Sequence, residues 1–163
     1  MYDEKFMKRA IQLAADAASC DEVPVGAVIV LNGEIIGESG NRKERDISAT
    51  RHAEMVALEI AAKKTGNWWL EGAEAYVTLE PCPMCAYAFL LSRVKAVYYG
   101  AYDVKAGGCG SKINIFEKGK FNHDVEYQGG YMQEECARLL SEFFAEKRAE
   151  KLSLIHISEP TRL

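Results

Sequence analysis

The dipeptide Asn32-Gly33 lies between two β-type runs, Val25–Leu31 and Glu34–Glu38. A two-residue hairpin turn needs φ > 0 at both central positions, and Asn-Gly tolerates this better than almost any other pair. The chain therefore reverses here, and any sheet it builds is antiparallel at this point. Further along the pattern changes. Arg51 to Lys64 is rich in Ala, Glu, Met and Leu, which favours helix. Ala75–Leu79 is a short β-type run, Pro81-Cys82-Pro83-Met84-Cys85 opens a second helix with Pro83 in its first turn, and Val94–Tyr99 reads as another strand. Phe6, Ala10, Leu13, Ala14 and Ala17 recur at helical spacing near the start. Cys136, Leu139, Leu140, Phe143 and Phe144 make a stripe near the end, with Gly129-Gly130 as punctuation before it. Strands alternating with helices predict a layered α/β fold around a partly antiparallel sheet.

With 163 residues, 48% of them apolar, the chain suits one domain with a real core, which excludes a disordered polymer. Twenty basic against 24 acidic residues leave a net charge of −4, so a nucleic-acid partner must meet a local basic patch. The longest apolar runs, Val25–Leu31 and Met84–Leu91, are too short to span a bilayer, so no membrane association is expected. The first twenty residues carry acids and helical spacing rather than a continuous apolar stretch, so they do not read as a secretory signal. Five cysteines, an odd number, then read as thiols or metal ligands of a cytoplasmic protein. Residues Leu152–Leu163 break the pattern: the helical stripe is lost and Pro160 forbids its continuation. Their sequence looks like a translated adaptor, so residues 1–151 are read as the domain and 152–163 as a non-native tail.

Two motifs carry chemistry, His52-Ala53-Glu54 and Pro81-Cys82-Pro83-Met84-Cys85. Two cysteines three residues apart at a helix start can point at one ion, and the helix N-terminus favours their thiolates. Imidazole plus two thiolates suits Zn²⁺ over Mg²⁺ or Ca²⁺, and three protein ligands leave a fourth position open, as in catalytic rather than structural sites. Water at that position ionises near neutral pH. His52 and Glu54 stand two apart on a helix, so both reach one point only if that point lies off the helix's N-terminal end. Glu54 there is the general acid/base and holds no metal. A lone His-x-Glu is usually a solvated helix turn, and a lone Cys-x-x-Cys is as readily a redox pair. A structural site completed by Cys109 or Cys136 is the bland alternative.

The ordered pair of motifs resembles the signature of the zinc nucleobase deaminases, adenosine-type enzymes among them. From about Tyr2 to Lys151 the chain resembles the bacterial tRNA-specific adenosine deaminases, within the cytidine deaminase-like zinc enzymes. The segments that carry this are EVPVGAVIV (22–30), GNR (40–42), RHAEMVAL (51–58), YVTLEPCPMC (76–85), GAYDVKAGGCGS (100–111), FNHDVEYQGG (121–130) and ECARLLSEFF (135–144). The central motif belongs to the whole superfamily, and the flanking segments point to the tRNA branch. The resemblance implies a three-layer α/β/α fold with a mixed five-stranded sheet, and a homodimer that binds a tRNA anticodon loop near both subunits. It implies hydrolytic deamination of adenosine to inosine at the wobble position, one zinc per subunit held by His52, Cys82 and Cys85, and proton transfer by Glu54. It further implies that Asn41 hydrogen-bonds the flipped base and that Pro24 and Val25 wall its pocket.

Around these lie weaker candidates. Arg42, Lys43, Arg45 and Arg51 outnumber Glu44 and Asp46 in the loop before the first ligand helix, and Arg42 is assigned to phosphate, although a solvated loop reads as well. Asp103 and Lys105 occupy the family's loop over the substrate entrance and are assigned to RNA, against a plain salt-bridged loop. His123 reads as a packed loop histidine and Trp68-Trp69 as packing residues, although either could stack on a base. Cys109 stands in a Gly-rich loop where small inert residues are more usual, which leaves the loop's mobility and redox sensitivity open. A free-base or nucleoside deaminase acting on guanine or cytosine is the second reading. A zinc-stabilised RNA-binding module without catalysis, in which Glu54 has no role, is the third.

Overall fold

The computed structural model describes residues 1–158. In chain order they form α1 (Glu4–Ser19), β1 (Gly26–Leu31), β2 (Glu34–Gly40), α2 (Ala53–Thr65), β3 (Glu74–Leu79), α3 (Pro83–Leu91), β4 (Ala96–Ala101), β5 (Glu126–Gln128) and α4 (Gln133–Ser158). The strands make one mixed sheet in the order β2-β1-β3-β4-β5. Asn32 and Gly33 join β1 to β2 with φ of 51° and 78°, the left-handed conformations that an Asn-Gly hairpin turn requires.

β1 is buried on both faces, and its successive side chains alternate between them. Ala27 and Ile29 pack with Ala57 and Ala61 of α2 and Phe89 of α3. Val28 and Val30 pack on the opposite side with Phe6, Met7 and Ala10 of α1 and Cys136 of α4. The expected three layers are thus α1 with α4, the sheet, and α2 with α3. The helices lie close: a side-chain carbon at Gly37 would collide with the Ala57 carbonyl of α2, so only glycine fits beneath that helix.

Strand directions decide where the chemistry gathers. β1 runs antiparallel to both β2 and β3, while β3, β4 and β5 run parallel. Hence β2, β3 and β4 all end at one edge of the sheet, and β1 begins there. The segments after Gly40, Leu79 and Ala101, together with Pro24-Val25, meet at this edge, the usual ligand-binding position of open α/β sheets.

Two elements differ from the sequence reading. β5 was not legible as a strand, because its three residues are all exposed and show no apolar alternation; only pairing with β4 defines it. Leu152 does not end the last helix, which runs on to Ser158. Glu, Lys, Arg, Ala and Leu sustain it by intrinsic propensity although Leu152, Leu154 and Ile155 are exposed. Residues 159–163 of the tail lie outside the described residues. No helix among the described residues is long and apolar enough to cross a membrane.

Candidate active site

Each motif sits at the start of a helix. His52 is the N-cap of α2 and Glu54 lies in its first turn; Cys82 is the N-cap of α3, with Pro83 as its first residue and Cys85 still in the first turn. Both helices therefore present their N-terminal ends to the same point. His52 Nδ1 lies 3.7 Å from Cys82 Sγ and 3.5 Å from Cys85 Sγ. Ligands on a tetrahedral zinc, with Zn–S about 2.3 Å and Zn–N about 2.05 Å, stand about 3.6 Å apart. The three donors thus already have zinc spacing, and the donor set fits that metal. Among the described residues no further His, Cys, Asp or Glu joins this cluster, so neither Cys109 nor Cys136 completes a closed structural site.

The electrostatics agree with a ligand set. The hydrogen bond from the Cys85 thiol brings Cys82 down to about 4, with His52 adding to the effect against the cost of burial. That same hydrogen bond, with burial, pushes Cys85 up. His52 is raised, first by its hydrogen bond with Cys82. A thiolate is the metal-binding form of cysteine. Glu54 is 4% exposed, and burial pushes its carboxyl up to about 7. A divalent cation in the adjacent donor set would draw it back down.

Asn41 follows the end of β2 and is 7% exposed. Its backbone N–H donates to Val25 O at 3.1 Å, and its Oδ1 accepts the N–H of Ala53 at 2.8 Å. The His52 side chain makes no capping hydrogen bond, so Asn41 caps α2 from a distance. Its Nδ2 hydrogens make no hydrogen bond with the described residues. Asn41 also lines a cleft with Glu22, Lys43, Phe143 and Lys147. Phe143 was legible only as part of a core stripe; its place in this cleft comes from where α4 crosses. Pro24 and Val25 are both buried at the start of β1, beside Asn41.

The basic loop is largely neutralised from within. Arg42 makes a two-pronged ion pair with Asp46, at 3.0 and 3.1 Å, and Arg51 shares Asp46 at 3.0 Å. Arg45 pairs with Glu22. Among the described residues Lys43 is the cation of this group without an acid in ion-pair reach, and its charge is felt at His52. Glu22, buried and unforeseen from sequence, accepts the N–H groups of Glu44 and Arg45 at 3.1 and 2.9 Å and so ties this loop down.

The second loop, after β4, carries Asp103 and the exposed Lys105. Asp103 Oδ1 accepts the N–H groups of Lys105 and Ala106, each at 3.1 Å, making a tight turn. Cys109 is buried, and burial raises its thiol, so the position left open by sequence is a packed one. His123 packs as expected, its Nε2 2.9 Å from Val94 O. Trp68 and Trp69 do not pack: they are 63% and 46% exposed, with Arg93 lying 5.9 Å over Trp69.

Residues 1–101 match the family model for the cytidine and deoxycytidylate deaminase zinc-binding region. The chain is 49% identical to a tRNA-specific adenosine deaminase of Bacillus subtilis (strain 168) over 149 residues, covering 91% of this chain and 92% of that protein. A solved structure from work on A-to-I editing by tRNA:A34 deaminases superposes with a TM-score of 0.82 at 40% identity, covering 85% of this chain and all of the other. A guanine deaminase from Nitrosomonas europaea superposes with a TM-score of 0.76 over 88% of this chain and 85% of its own, at 22% identity, and shares the fold.

Proposed function

The chain belongs to the tRNA-specific adenosine deaminase family, and from that premise we propose that it hydrolyses adenosine to inosine at the wobble position of a tRNA anticodon loop. One observation carries the chemistry: three donors at zinc spacing leave a coordination position open, and a buried carboxylate that belongs to none of them stands beside it. His52, Cys82 and Cys85 would hold the zinc, whose Lewis acidity would let a water ionise near neutral pH. Glu54 takes one proton of the attacking water and delivers it to N1 of the adenine, then takes the proton of the new C6 hydroxyl and delivers it to the amine, which leaves as ammonia. Water and adenosine thereby become inosine and ammonia. Asn41 presents its free Nδ2 to the base edge, with Pro24 and Val25 behind it. A base must leave its stack to reach this buried edge of the sheet, which a single-stranded anticodon loop allows at small cost.

Flanking contacts supply positioning that one base alone does not. Lys43 and Lys105 are exposed cations of the two loops with no acid partner among the described residues; with Asp103 and Arg42 they form the RNA-facing rim, Arg42 acting once it is shared between Asp46 and phosphate. Exposed Ile60, Tyr87 and Leu91 of the α2–α3 layer, with Trp68 and Trp69, provide the apolar face for a homodimer, which sedimentation of the pure protein tests directly. Residues 1–151 are the functional unit of this reading. Incubation of the zinc-loaded protein with a wobble-adenosine stem-loop should yield inosine by mass spectrometry, with free adenosine, cytidine and guanine nearly untouched and binding weakened by salt. Turnover of free guanine or cytosine with no inosine in the stem-loop would replace this reading with the free-base one.

A further inference from the structure

Four hydrogen bonds end on one buried carboxylate two residues before Cys82. Glu80 is 2% exposed. Its Oε1 accepts the N–H of Asp103 at 3.1 Å and the hydroxyl of Ser111. Its Oε2 accepts the N–H groups of Cys109 at 3.0 Å and Ser111 at 3.1 Å. Around this fork the loop is closed further, by Gly107 N–H on Asp103 O at 2.8 Å and Gly108 N–H on Pro81 O at 2.7 Å. A side-chain carbon at Gly107 would collide with the Glu80 carboxylate, and one at Gly108 would meet Pro83 N at 2.7 Å, so the loop lies directly against the zinc-ligand segment.

These contacts join two functions that sequence keeps apart. The segment from Glu80 to Cys85 carries two ligands, and the loop from Asp103 to Ser111 carries Lys105 on a turn held by Asp103. We propose that Glu80 is a positioning residue for the substrate: it fixes the span between the RNA-facing turn at Asp103–Lys105 and the ligand segment at Cys82. Flanking RNA and reacting base can then be held at once, although Glu80 touches neither. The proposal rests on the reading of this loop as an RNA contact. Only a carboxylate offers acceptors in both directions of the fork. Glutamine, of almost the same shape, turns one arm into a donor that faces other donors, and alanine leaves three backbone N–H groups without their partner.

Glu80→Gln in the zinc-loaded full chain tests this, with zinc content, amide hydrogen exchange and steady-state kinetics on the stem-loop measured together. The expected result is an undiminished zinc content, faster exchange confined to residues 103–111, and KM raised about tenfold or more with kcat within about twofold. Lys105→Ala should raise KM in the wild-type background and add little in the Glu80→Gln background, because the turn is already misplaced. Unchanged KM, or full additivity of the two substitutions, would overturn the proposal. Where Glu80→Gln loses zinc or solubility, Ser111→Ala decides, since it removes one arm only: a raised KM with zinc retained supports the fork, and an unchanged KM sinks it. A wild-type protein inactive on the stem-loop would refute the functional reading instead, while hydrogen exchange still reports whether Glu80 anchors the loop.

Discussion

The side-chain oxygen of Asn41 lies 2.8 Å from the backbone nitrogen of Ala53, so a residue at the end of β2 holds the first turn of the helix that carries Glu54. One amide thus has its oxygen spent on the protein and its nitrogen free of any hydrogen bond to the described residues.

That division can be separated by mutation. Asn41→Ala should destabilise the fold by about 1–3 kcal/mol, because the Ala53 N–H then lies buried without a partner. Asn41→Asp keeps the acceptor and places a negative charge at a helix N-terminus, so its melting temperature should return toward that of the wild type. Its KM for the stem-loop should stay raised, since the donor is gone. Thermal melts and kinetics on both variants check this.

Glu54→Ala should lower kcat by about 10²–10⁴ while leaving one zinc per chain and stem-loop affinity unchanged. Elemental analysis and direct binding measurements, run beside the assay, distinguish this from loss of metal.

Cys85→Ala should lose zinc and activity together, and a chelator should do the same to the wild type. Because metal binding is coupled to folding, each should lower the melting temperature by about 5 °C or more. Adding zinc back should restore the chelated wild type and not the variant.

Glu22 gives a pH dependence with a definite sign. Burial raises its pKa, but the N–H groups of Arg45 and Glu44 and the Arg45 guanidinium outweigh that and hold it below the usual 4.5. The carboxylate therefore stabilises the fold fully above that value, and its contribution is lost as pH falls through the lower native one. Glu22→Gln should melt about 3 °C below wild type at pH 7, and the gap should close on acidification below pH 4.5. Paired melts across that range check it.

What was legible in the sequence was local. Asn32-Gly33 specified its turn through backbone sterics, and Pro83 and the Ala-rich stretch specified their helices. His52, Cys82 and Cys85 were legible because metal chemistry restricts residue type and spacing. The two anchoring acids were not, since Glu22 meets Glu44 and Arg45, and Glu80 meets Asp103 to Ser111, only after the sheet is formed. A signal for Glu80 did exist: an acid directly after the apolar strand Ala75–Leu79, with paired glycines at 107 and 108 further on. The cations of the first loop looked available because composition counts charges without their partners, and Asp46 engages Arg42 and Arg51 together. Trp68 and Trp69 were assigned to packing by size alone, which carries no information about which side of a loop faces out.

The two ligand helices begin at the same edge of the sheet and aim their first turns at one point. The positive potential there comes from peptide groups, which no amino-acid substitution removes and no physiological pH titrates. That part of the centre's field is therefore insulated from substitution around it, whereas the charge of Lys43 on the rim is felt at His52. The rim loops can exchange charges while this peptide contribution persists wherever Ala53 and Pro83 remain the places at which the helices start.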